Sequence, residues 1–374
     1  MPLRPVCGKL KMSVETEADV RALFEAGLGF SEATLGRSRY EDYRRDLADH
    51  FYYVGAVCPQ YFRPLQEEAS AIPDDKLHTF AFTFPTWLYL LADAPESAVE
   101  RLASRLSDSA AAAPLVESDL VTMLAAIGTS AALTALAEYG RRTKERRQVL
   151  ANLGFWIPAD GGPAEPRFAR ERRAVRVVRL DEAPDDLARR THPVGLPLEM
   201  VLSEAGQDVV TWHYCSLDMA DLPGMPRLDM LRLHLVSPPL NDEWTVFCWP
   251  GVGGRYERAA LSPQTHVDER EMAEMREEAI GDQGRDMGYL ELLPYDDDEL
   301  VYSNEHTELT PGVEGDVGGP PIGLYPNPNC PTCGKLMFHV CTVTNYVREY
   351  GDGFRSLFMC ETCGVAASHA MGWN

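Results

Sequence analysis

The sequence predicts an α+β protein, with an α-helical N-terminal domain followed by a strand-rich domain that ends in a four-cysteine ribbon. Three observations carry this. Apolar residues recur at helical spacing over roughly the first 155 positions. Short β-branched and aromatic runs replace them after a Gly/Pro break at Gly161–Pro166. Two Cys-x-x-Cys-Gly motifs then bracket a hairpin-like segment near the C-terminus. The expected division is a helical domain over 1–160, a strand-rich α+β domain over 165–325, and a ribbon over 326–374 packed on the domain before it.

In the helical part, Thr16 and Asp19 have capping-box spacing ahead of Val20, Leu23 and Phe24, and Gly27 is the expected stop. A second stripe, Tyr40, Tyr43, Leu47, Phe51 and Val54, ends near Cys58-Pro59. Leu120, Met123, Leu124 and Ile127 share a face, Gly128-Thr129-Ser130 makes a turn, and Leu133, Leu136 and Ala137 resume the period. This segment, near 115–140, resembles a HEAT-like helical hairpin, without a second copy at fixed spacing. Strands are expected at Val175–Leu180, at Leu231, Leu233 and Leu235 alternating with Arg232 and His234 as a half-buried strand, and at Trp244–Trp249. A charged helix is expected over 266–280, with Met272 and Met275 on its apolar side. The acidic tract Asp296–Glu299, continuing through Glu314 and Asp316, reads as a solvated loop.

The cysteines carry the chemistry. In Cys330-Pro-Thr-Cys333-Gly334 and Cys360-Glu-Thr-Cys363-Gly364, 26 residues lie between Cys333 and Cys360. Two such pairs supply four thiolates, the soft tetrahedral set that zinc prefers, and each glycine permits a tight turn that aims backbone N–H groups at sulfur. A hairpin between the pairs, strand-like at Leu336–Val347 and Phe354–Met359 around Gly351-Asp352-Gly353, brings its ends together on one ion. Cys330, Cys333, Cys360 and Cys363 are therefore the expected ligands of one structural Zn²⁺, since four thiolates leave no open position for substrate. Cys7, Cys58, Cys215, Cys248 and Cys341 read as free thiols of a reducing compartment.

The 374 residues carry 35 basic and 57 acidic side chains, a formal charge of −22. Such a surface disfavours nucleic acid and suits a basic partner. From Cys330 to Asn374 three basic residues balance three acidic ones, which leaves the ribbon no electrostatic footprint for phosphate. The N-terminus has no apolar segment of a signal peptide, and no apolar run of about 18 residues is present. The expectation is a cytoplasmic protein with no membrane contact.

Beside the ribbon, Val317-Gly318-Gly319-Pro320-Pro321, Pro326, the Cys330 knuckle and Lys335-Leu336-Met337-Phe338 together resemble the C-terminal part of bacterial YwqG-like proteins. The run Phe354-Arg355-Ser356-Leu357-Phe358-Met359-Cys360 is similar to the N-terminal half of programmed cell death protein 2. Upstream, Ser216-Leu217-Asp218 through Leu222-Pro223 carries a fainter likeness to the first family. Two departures stand out: no Gln precedes Ser216-Leu217-Asp218, and Ile322-Gly323 occupies the place of the family's Trp. The likeness implies a chaperone-like role for a basic client and brings no catalytic residues.

Four other constellations carry residues of chemical interest. Gly251-Val252-Gly253-Gly254 lacks the Lys-Ser/Thr of a phosphate loop and reads as a turn. Glu305, His306 and Glu308 lack partner spacing for a metal. Trp212-His213-Tyr214-Cys215 reads as packing, because neighbours on a strand face opposite ways. His339 and Cys341, two apart, are expected to share a face. The leading expectation is a non-catalytic zinc protein that binds another protein, in a chaperone-like or immunity-type role. The alternatives are an enzyme with its active site in the interdomain cleft and a zinc-ribbon nucleic-acid adaptor.

Overall fold

The computed structural model describes residues 16–29, 35–77, 87, 90–108, 114–180, 186–197, 201–202, 209, 211–222, 224–226, 232–238, 244–263, 270, 273–274, 277, 287–294, 313–321, 327–344, 347 and 353–372. Cys7, Leu231, Met272, Met275, Asp296–Glu299, Glu305, His306 and Glu308 lie outside them. The described chain divides at Glu165/Pro166 into a helical unit and a sheet unit.

Helix α1, Glu17–Gly29, opens with the expected capping box: the Asp19 amide donates to Thr16 Oγ1 (3.3 Å) and the Thr16 amide to Asp19 Oδ2 (2.8 Å). It continues through Gly27, which is buried inside it, and ends two residues later. Helix α2, Arg37–Val57, buries Tyr40, Leu47, Phe51 and Val54 and stops where Pro59 starts a 3₁₀ turn reaching Leu65. Phe51 stacks on Phe62 (5.5 Å between centroids) and meets Phe24 at 6.4 Å. Helix α3, Glu96–Asp108, is tied to the turn at Ser70–Asp74, where the Arg105 guanidinium donates to the carbonyls of Ser70 and Ile72. Helices α4 (Pro114–Ile127) and α5 (Ser130–Arg142) form the hairpin expected near 115–140. Gly128 turns it with φ 65°, and Thr129 caps α5 by accepting from the Ala132 amide. Helix α6, Lys144–Asn152, follows with Thr143 as its cap.

Among the described residues the sheet unit is one eleven-stranded antiparallel sheet. Its strands are β1 (Arg172–Arg179), β2 (Pro193–Val194), β3 (Trp212–Asp218), β4 (Arg232–Ser237), β5 (Trp244–Pro250), β6 (Tyr256–Leu261), β7 (Gly288–Pro294), β8 (Val313–Gly318), β9 (Phe338–Thr344), β10 (Gly353–Met359) and β11 (Ala366–Gly372). They pair in the order β4-β3-β2-β7-β1-β8-β9-β10-β11-β5-β6. The sheet curls until β4 packs against β10 and β11. Tyr256 of β6 joins the two end strands: its hydroxyl donates to the His234 carbonyl (2.8 Å) and accepts from the His234 amide (3.1 Å). The region 326–374 is continuous with this sheet and supplies three of its strands.

Over the eight strands from β4 to β10 the pairing is two-fold symmetric about the β1–β7 ladder. Val194 lies opposite Cys215 as Val317 lies opposite Cys341. A bulge separates His213 from Cys215, and another separates His339 from Cys341. Ser216 faces His234 as Thr342 faces Ser356. Arg173 pairs with Val317 and Pro294, and its counterpart Gly288 pairs with Val194 and Arg179. The quintets Trp-His-Tyr-Cys-Ser (212–216) and Phe-His-Val-Cys-Thr (338–342) are thus the same station used twice.

Two expectations change in the curled sheet. His234, expected on a half-buried strand's wet side, is buried, and Arg232 pairs with Asp218. Glu314 and Asp316, expected in a solvated loop, are on β8; Asp316 is 2% exposed and paired with Arg172. Burial pushes the Asp316 carboxyl up, and Arg172 opposes this. Gly318 and Gly319 (φ 77° and 72°) let β8 close on this pair: a Cβ at Gly318 would sit 2.1 Å from the Glu171 carbonyl oxygen. Asp316→Ala strips Arg172 of its buried counter-charge and is expected to cost about 3–5 kcal/mol. The check is the urea midpoint, with Asp316→Asn expected to fall between the two.

Candidate metal centre

The β9–β10 register, with Phe338 opposite Met359, places the N-terminal end of one strand beside the C-terminal end of the other. The first cysteine pair precedes β9 and the second follows β10, so the two meet at the open end of the hairpin. The two knuckles have the same backbone. The Gly334 amide donates to the Cys330 carbonyl (2.8 Å) and the Gly364 amide to the Cys360 carbonyl (2.9 Å), both glycines being left-handed (φ 73° and 67°). Each turn is closed by its first cysteine: the Cys330 amide donates to the Lys335 carbonyl and the Cys360 amide to the Val365 carbonyl. Nothing lies within 4 Å of a Cβ placed on Gly334, so conformation alone demands glycine there.

The four sulfurs lie within 4.8 Å of one another, with Cys333 Sγ and Cys360 Sγ 3.6 Å apart. This is the expected set, brought together. Backbone amides reach the sulfurs, from Lys335 to Cys333 and from Thr362 and Cys363 to Cys360. Burial pushes the Cys360 thiol up to about 12. Burial also acts upward on Cys333, but hydrogen bonds from Lys335 and the neighbouring sulfurs outweigh it and hold that thiol below its ordinary value. Four thiolates crowded this closely repel one another, and a bound cation relieves that repulsion. The donors fit a tetrahedral S₄ metal, the arrangement of Zn²⁺ or of iron bound by sulfur.

Cys330 and Cys360 are 2% and 3% exposed and belong to a small core with Phe247, Met337, Phe358, Val365 and Ala367, against which Trp249 and Cys363 pack. These side chains occupy the outer face of β9–β10–β11–β5, opposite the main core that holds Leu357 and Met359. The knuckles therefore roof the outer face. Two polar anchors hold the first knuckle in place. Asn327 Nδ2 donates to the Met337 carbonyl (2.9 Å), and the His339 amide donates to the Arg167 carbonyl (2.6 Å). Arg167 in turn pairs with Glu361 of the second knuckle (3.0 Å).

The other constellations serve the fold. Val252–Gly254 is a short 3₁₀ turn with Gly253 and Gly254 left-handed, as expected of a turn. His213 and Cys215 are not a catalytic pair: Cys215 is in the main core, and His213 begins a buried polar chain. The Leu196 amide donates to His213 Nδ1 (3.0 Å), leaving Nε2–H to donate to Ser216 Oγ (2.8 Å); Ser216 donates to His234 Nδ1 (2.8 Å), and His234 Nε2–H donates to the Gly254 carbonyl (3.0 Å). His339 and Cys341 do not share a face, because the bulge between them breaks the two-residue period. Cys341 enters the main core, whereas His339 lies against Phe358, donates from Nδ1 to the Gly319 carbonyl (3.0 Å) and accepts from Thr342 (2.9 Å). These buried hydroxyl–histidine stations went unrecognised in the sequence, although the recurring aromatic-His-x-Cys-hydroxyl quintet marks both.

Fold and site define a mixed helix-and-sheet protein with a four-cysteine cluster able to hold a metal ion. Comparisons with protein-family models, curated proteins and solved structures return no match. Among the described residues no helix is long and apolar enough to cross a membrane.

Proposed function

We propose that the four cysteines hold one structural zinc ion and that the chain is a non-catalytic, cytoplasmic protein that binds another protein, in a chaperone-like or immunity-type role. The observation that carries the zinc reading is the convergence of four sulfurs on the roof of a buried apolar cluster. With every coordination position taken by thiolate, the ion acts on the fold and not on a substrate. The protein-binding reading is supported by the charge of −22, which favours a basic partner, and by the likeness of the ribbon region to YwqG-like proteins and programmed cell death protein 2. The test has two arms. Elemental analysis of the purified chain is expected to give one zinc per molecule; a sub-stoichiometric metal content, or iron in its place, defeats the first half. Tagged chain recovered from cells is expected to carry a stoichiometric partner of high isoelectric point that elutes as salt rises. Recovery of the chain alone, or with nucleic acid, defeats the second.

A further inference from the structure

The four sulfurs are unequal in access. Cys330 and Cys360 are sealed in the outer core, whereas Cys363 is half-buried and Cys333 is exposed. Exposure and thiolate character together select which cysteine an oxidant meets first. Metal coordination keeps all four as thiolates, so access decides, and Cys333 is the open one. Its sulfur also has an acceptor ready, with Cys360 Sγ 3.6 Å away on the other knuckle and Cys363 Sγ within the same 4.8 Å cluster.

We infer that this centre is a peroxide-responsive metal switch, in which oxidation of Cys333 and a sulfur of the second knuckle to a disulfide expels the ion. This rests on the zinc reading above. Cys333 thiolate attacks one peroxide oxygen, the O–O bond breaks, and the departing hydroxide takes a proton to become water. The Cys333 sulfenic acid is then attacked by a thiolate of the second knuckle. The S–S bond forms, the S–O bond breaks, and a second hydroxide leaves and is protonated. Two thiolates have lost one electron each, hydrogen peroxide has gained two, and two protons are consumed. Zn²⁺ keeps two thiolate ligands in place of four and dissociates. The consequence falls on the roof described above: both knuckles lose the atom that joins them over Phe247, Phe358 and Val365.

The experiment treats zinc-loaded full-length protein with hydrogen peroxide and reads zinc release with a colorimetric chelator, alongside disulfide mapping by mass spectrometry. One zinc released per chain is expected, with a disulfide joining Cys333 to the second knuckle. The buried thiols Cys215, Cys248 and Cys341 serve as internal references and are expected to stay reduced. Cys333→His keeps a fourth ligand without an oxidisable sulfur, and its zinc release is expected to slow tenfold or more. Cys58→Ser, altered at a half-buried thiol outside the cluster, is expected to keep wild-type sensitivity. Zinc retained under peroxide, a disulfide that omits Cys333, or equal slowing by both variants overturns the switch. Protein that carries no zinc before treatment instead overturns the reading on which it rests.

Discussion

Removing the metal at neutral pH is expected to abolish cooperative unfolding of the sheet unit. Structural zinc held by cysteines contributes on the order of 10 kcal/mol or more, while a whole domain is stable by only about 5–15 kcal/mol. Here an ion held by the four cysteines would tie two knuckles that roof one face of β9, β10, β11 and β5, so its loss would uncover the outer core and loosen four neighbouring strands at once. A strong chelator should shift Trp244 and Trp249 fluorescence towards that of water-exposed indole and raise binding of an apolar dye. Cys330→Ser should reproduce this without chelator, because it also places a hydroxyl in the apolar cluster. A serine variant at any of the four positions that keeps its metal and a sharp transition would remove the basis of the architecture.

Acidification is the second large effect. His234 and His339 are buried and neutral, and burial lowers both to about 4. Arg232 pushes His234 further down while the Gly254 carbonyl and Asp218 pull it up; for His339, Arg172 pushes down and the Gly319 carbonyl pulls up. In the unfolded chain a histidine titrates near 6.5. Between that value and about 4 the unfolded chain therefore holds protons that the fold excludes, so stability falls as pH drops through this window. Each histidine is expected to remove roughly 3 kcal/mol over the full interval. Asp316, with its carboxyl raised by burial, works in the opposite sense at the acid end. Metal release by thiolate protonation adds to the loss, so the measurement compares wild type with the His234→Gln/His339→Gln pair. The urea midpoint of the double variant should change markedly less between pH 7 and pH 4.5. Equal slopes would place the acid sensitivity elsewhere.

The cysteine cluster was readable because its information is local: two spacings, two glycines and a hairpin suffice to bring four sulfurs together. The α4–α5 hairpin was readable for the same reason, since Gly128 and Thr129 terminate one helix and cap the next within two residues. Sheet order was not. Nothing local tells β11 to insert between β10 and β5, or brings Gly254 and Tyr256 against His234, which those contacts bury. The Arg172–Asp316 pair was hidden likewise. Its members are 144 positions apart, and a run of carboxylates reads as solvated until the partner of one of them is known. The likeness of the two His-x-Cys quintets was visible in the letters. It takes meaning only from the bulge that each one carries.

The place of β11 has a consequence for the growing chain. The β5–β6 hairpin leaves the ribosome roughly a hundred residues before the strand that will flank it, since residues 244–248 pair with 366–370. Until then an aromatic-rich ribbon must persist with one side open, vulnerable to capture by another nascent polypeptide. Completing the domain is therefore a late event in biosynthesis, gated by arrival of the same stretch that brings the second pair of sulfurs.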